Sequence, residues 1–151
     1  MLAVFAVGPD QPFASLGAVP WETLGAGDVV RVHWRETAYH EKILISSSGT
    51  ADRPLMVIGV PGPHGELPVI DGDGATTRAQ TEYSHADTQT RGLLTVARDA
   101  TDFYGFKPSH IQIVGLEFRN AHPDHSFTDA QGNERQYAYI AAAIFVERGE
   151  H

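Results

Sequence analysis

Cysteine is absent from the chain, which excludes disulfides and thiolate metal centres. Basic residues are scarce: 11 Lys and Arg against 19 Asp and Glu leave a formal charge of −8. A polyanion such as DNA or RNA would be repelled unless those cations gathered in one patch. No such run occurs, so nucleic acid is not expected as a partner. An acidic sugar polymer survives the same test, because a single groove can hold a local Arg or Lys, or a bound cation, whatever the net charge. Long hydrophobic runs are missing too. The longest, residues 1–8 and 140–146, fall well short of the ~20 residues that span a bilayer, so no membrane is expected as a partner. The apolar start has no basic leader and no cleavage site, and it reads as a first strand rather than a complete signal peptide.

Glycine and proline, by contrast, are plentiful at 15 and 9, which points to many short strands joined by turns. The 151 residues suffice for one domain with a core. Strand-like segments fall at 28–34, 42–46, 55–60, 68–71, 93–96, 110–118 and 141–146, with turn signals at 46–49, 61–65 and 71–74. Residues 75–91 read as a polar loop. One segment, 13–24, has a helical spacing of Phe13, Leu16, Val19 and Leu24, interrupted by Pro20. It suits a short helix capping a stack of strands. Periodicity alone leaves two architectures open, an antiparallel sandwich and a coil of parallel strands; the widely varying loop lengths lean toward the coil.

A longer match favours the coil. Gly27 and Asp28 opening a Val-Val-Arg-Val run, then Tyr39, Gly49, Asp52, Pro54, Gly59 and the 68–72 stretch Pro-Val-Ile-Asp-Gly resemble the opening coils of pectin-lyase-like β-helix proteins. Chondroitinase B and alginate lyases open in this way. The 110–120 stretch, ending at Asn120, is similar to a later rung, and 143–151 to the start of another. Thr37 departs from the pattern, standing where the family often has glycine two residues before the tyrosine. The resemblance implies that Gly49 needs a positive φ, that Pro54 starts a strand, that Ile70 points inward while Asp71 and Gly72 turn a corner, and that Asn120 bonds from rung to rung. The fold it implies is all-β: a right-handed parallel β-helix of about five coils of roughly 20 to 30 residues, truncated at its C-terminal end. Residues 1–27 would form an N-terminal strand and capping segment, and 28–151 the first coils.

Each chemically suggestive cluster has an ordinary reading beside it. His122, Asp124 and His125 could ligate zinc, but Pro123 breaks any shared helical face, and a polar loop bulging after Asn120 explains them equally. Asp71, Asp73, Glu82 and Asp87 suggest calcium, yet lack the spacing of the known loop and fit turn chemistry. His33, Trp34, Arg35, Glu36, Tyr39 and His40 would suit a sugar ring and its carboxylate; alternation along a strand would instead bury some of them. Ser46, Ser47 and Ser48 carry no nucleophile elbow. No metal site is therefore assigned, and catalytic and substrate-binding residues stay unknown.

The resemblance implies an N-terminal part of a carbohydrate-active protein, polysaccharide lyase-like and acting on acidic polysaccharide. Its catalytic residues would lie beyond this span, so the chain itself is expected to be inactive. The alternative is a non-catalytic β-helix module for carbohydrate binding, adhesion or structure. No cofactor is evident in the span, and calcium is admissible in a full-length protein. The same resemblance implies an extracellular or periplasmic location, and an open last coil able to pair end to end with another copy.

Overall fold

The computed structural model describes residues 2–98 and 108–147. Its strands are β1 (Val4–Val7), β2 (Val29–His33), β3 (Ile43–Ile45), β4 (Leu55–Val60), β5 (Val69–Asp71) and β6 (Ala75–Thr76). They continue with β7 (Gly92–Val96), β8 (Ile111–Val114), β9 (Glu117–Arg119), β10 (Ser126–Thr128), β11 (Glu134–Gln136) and β12 (Ala142–Val146).

These strands form four sheets, ordered β1-β2-β4-β8, β3-β7-β12, β5-β9 and β6-β10-β11. Every pairing is parallel except β10 with β11, a hairpin. Neighbours in the parallel sheets are distant in sequence, so the chain leaves each sheet and returns to it as the adjacent strand. Isolated parallel bridges from Tyr39 to Ile70 and from Glu41 to Thr76 extend the smaller sheets down by one level. The molecule is thus strand-rich with parallel sheets. No helix among the described residues is long and apolar enough to cross a membrane.

Burial follows the pleat. In β2 the side chains of Val30 and Val32 are fully buried while Arg31 between them is exposed. Register stacks Val30 on Val57 and Val57 on Ile113, forming an inward apolar column. β3 and β7 are buried along their whole length, Thr95 of β7 included, because both of their faces are covered. One core joins Val7, Leu16 and Trp21 to Val30, Ile70, Leu94 and Phe127.

Several expectations need correction. Residues 13–24 form no α-helix but two single 3₁₀ turns, Leu16–Ala18 and Trp21–Thr23. Pro20 lacks an amide proton and disfavours helical backbone before it. Glu41 takes up the amides of Leu16 and Gly17 at 2.7 and 3.3 Å. The segment still covers the core, with Leu16 and Val19 wholly buried. The predicted strand at 110–118 is two strands, because Gly115 (φ +70°) turns a corner between β8 and β9. Gly49 is not at positive φ; it is small because a Cβ there would overlap the Leu55 amide nitrogen and lie 2.6 Å from the His110 carbonyl oxygen. The longest sheet has four strands, and the step in sequence from Met56 to Gln112 is about twice the step from Val29 to Met56. The rung expected at 143–151 is described only through residue 147, where it forms β12; its remainder and Met1 lie outside the described residues.

Candidate functional site

The β5–β9 sheet turns Tyr39, Ile70 and Phe118 toward the core, the first two fully buried. Alternation then sends the neighbours outward: Val69 beside Glu117, and Asp71 beside Arg119. Over this outer face, loops following β2 and β4 raise a wall, and between wall and sheet lies an open pocket of about 370 Å³. Trp34, Arg35, Glu36, Glu66, Glu117 and Arg119 are its polar and aromatic lining.

Local structure sets these groups in place. Gly62 packs against the Trp34 indole so tightly that a Cβ would lie 2.6 Å from its ring. The Arg35 guanidinium donates to the carbonyls of Thr37 and Ala38 at 3.0 and 2.9 Å and lies 3.8 Å from the Tyr39 ring centre. Arg119 donates to Glu117 at 2.6 Å. That hydrogen bond and the charges of Glu117 and Asp71 hold its guanidinium pKa above the ordinary value. Two guanidinium groups beside an indole can meet a carboxylate and an apolar ring face together. Of the aromatic and basic residues expected around 33–40, the structure brings Trp34, Arg35 and Glu36 into this pocket. Tyr39 instead turns inward, its hydroxyl donating to the His33 carbonyl at 2.6 Å. Arg119 had no signal in the sequence, since only the pairing of β5 with β9 carries it there.

The histidines and acids gather along the next corner. His40 Nδ1 lies 2.7 Å from the Asp73 carbonyl oxygen, and His125 Nδ1 lies 3.1 Å from the Asp73 carboxylate. Asn120 donates to Asp71 at 2.9 Å, a rung-to-rung bond to aspartate, and Asp71 also accepts the Asp73 amide. His122 and Asp124 sit 3.5 Å apart and exposed. Among the described residues no group of three or more His, Asp or Glu could hold a metal ion. Glu82 and Asp87 stand apart from Asp71 and Asp73, Glu82 on a second cavity and Asp87 in a 3₁₀ turn. Ser48 accepts the Ser109 amide at 2.9 Å, a structural bond between levels.

Three charged side chains are buried, Lys42, Arg98 and Asp129. Lys42 donates from Nζ to the carbonyls of Gln89 and Gly92, each at 2.6 Å, and lies 3.8 Å from the Phe127 ring centre. Burial pushes its amine down to about 7. Asp129 accepts the amides of Asn133 and Gln131 and the Arg135 guanidinium, at 2.8, 3.0 and 3.1 Å. The Asn133 amide is the largest influence holding its carboxyl below the ordinary range.

Among family models, curated proteins and solved structures, none matches this chain.

Proposed function

We propose that this chain is the carbohydrate-binding opening of a right-handed parallel β-helix, polysaccharide lyase-like, and that its Trp34 pocket engages a uronate of an acidic polysaccharide. The observation that carries this reading is that Trp34 and Arg35, from the loop after β2, line one pocket with Arg119 from the outer face of the β5–β9 sheet. The indole stacks on a sugar ring, and the guanidinium groups meet the uronate carboxylate. Neutralising that carboxylate is also the first requirement of lyase chemistry, because it acidifies the C5 proton that a base then removes. The return of successive strands to the same parallel sheets supports the β-helix.

A binding-only reading has one observation of its own. No lysine, histidine or tyrosine lines the pocket among the described residues, and its carboxylates are the remaining groups that could accept a proton. On either reading the chain binds oligouronates without cleaving them, in an exported, carbohydrate-rich setting.

Calorimetric titration with short oligoalginate, oligogalacturonate and chondroitin oligosaccharides tests this. Binding to at least one, weakened about tenfold by Trp34→Ala and by Arg119→Ala, is the expected result. Trp34 also gives a direct optical readout, because the other tryptophan, Trp21, is buried with its indole N–H bonded to the Leu16 carbonyl. Absence of binding to all three, or binding indifferent to both substitutions, would overturn the assignment. Release of unsaturated uronate by the chain itself would overturn the claim that it only binds.

A further inference from the structure

A second cavity, of about 360 Å³, opens between residues 81–89 and the β10–β11 hairpin, and it shares no lining residue with the Trp34 pocket. Its lining includes Thr81, Glu82, Tyr83, Gln89, Gln131 and Arg135.

Both walls are held from beneath by two of the buried charges. Lys42 bonds the carbonyl of Gln89, and so fixes the backbone of one wall from inside the protein. Asp129 gathers the amides of Gln131 and Asn133 and the side chain of Arg135, and so fixes the hairpin loop that makes the other. Burying an ion is costly unless it is well bonded, and here the Asp129 bonds and one of the two Lys42 bonds go to the frame of one cavity.

The wall itself carries polar groups. Gln89 is 6% exposed and stands on the lining. An amide so enclosed presents one donor group and one acceptor to whatever enters. Gln131 offers the same pair from the exposed rim of the hairpin. Tyr83 stands on the lining too, and its buried hydroxyl has no hydrogen-bond partner among the described residues. The two charges on the lining, Arg135 and Glu82, balance, and Arg135 is bonded to Asp129.

We propose that this cavity binds one neutral sugar residue. The amides of Gln89 and Gln131 bond its hydroxyls, and the Tyr83 ring covers one face. Carboxamides suit vicinal hydroxyls because each supplies both donor and acceptor, and the cavity lies within the size range of small-ligand sites. The site goes beyond the uronate pocket and does not depend on it.

Titration of the ¹⁵N-labelled full chain with methyl glucoside, methyl galactoside and methyl mannoside, with glucuronate as the anionic comparison, tests the proposal. Saturable shifts of the Gln89 and Gln131 side-chain amides with at least one neutral glycoside are expected at millimolar concentration. Gln131→Ala, on an exposed loop, weakens that binding about fivefold or more, and Gln89→Leu does the same while the thermal melt shows a retained fold. Trp34→Ala leaves it unchanged. The proposal is overturned if no neutral glycoside gives saturable shifts, if the shifts survive Gln131→Ala, or if glucuronate binds as tightly. Loss of uronate binding at Trp34 with these shifts intact would remove the proposed function alone.

Discussion

An amine buried without a carboxylate beside it makes the protein's stability depend on pH in a definite direction. The ordinary lysine value is 10.5, and burial brings Lys42 to about 7. Below that lower value the amine is protonated whether the chain is folded or not. Between the two values the unfolded chain holds a proton that the folded chain has released, so stability rises as pH climbs through the window from about 7 to 10.5. The full gain is present only above the unfolded value, and the shift corresponds to roughly 5 kcal/mol as an upper bound. Urea unfolding midpoints followed across that window are expected to rise for the native chain. Lys42→Met removes this slope and also leaves the Gln89 and Gly92 carbonyls unbonded, so it is expected to be less stable than the native chain at high pH. A native chain whose midpoint stays flat from neutral to alkaline pH would contradict the assignment. Nothing in the sequence marks this lysine. It heads an apolar run, where a charge ordinarily turns to solvent, and only the arrival of Phe127 and Tyr137 from far along the chain encloses it.

Among the elements, the tightest constraint is where levels touch at a corner. A Cβ on Gly59 would overlap the carbonyl oxygen of Gly115 one level above, and backbone cannot move aside as a flexible side chain can. Gly59→Ala is expected to destabilise the fold by about 3 kcal/mol, read as a lowered urea midpoint, whereas Gly65→Ala meets no atom and costs only the strain of its positive φ. Similar midpoints for the two variants would contradict this packing. Strands that are apolar along their length were legible in the sequence. β4 matches its expected bounds, and β2, β3, β5, β7 and β12 lie within a residue of theirs at either end. β6, β10 and β11 were hidden because they are two or three residues long and mostly polar; Phe127 is the one large apolar side chain among them, and it is buried. Such strands exist because a neighbouring level supplies the hydrogen bonds, which no local pattern reports. The candidate pocket divides along the same line. Trp34 and Arg35 stood together in sequence, while Arg119 reached them only through register.

Across the whole molecule, Leu16, Val19, Trp21 and Leu24 cover the core and are all buried. Elsewhere, among the described residues, β8 and β12 are each the edge strand of their sheet, and Val114, Ile140, Ile144 and Val146 are exposed. We propose that two copies pair through these edges, because unpaired strand edges beside apolar side chains recruit further strands. Light scattering is expected to show a mass that rises with protein concentration, and Val114→Lys to suppress the rise. A constant monomer mass for the native chain would rule the pairing out.

The doubled step between β4 and β8 leaves the two strands adjacent in the same sheet. Height therefore behaves as a count of strands: four strands at ~4.8 Å spacing give about 14 Å from first to last, however many residues lie between them. Loops of very different length can therefore join neighbouring strands while the width of the sheet stays the same.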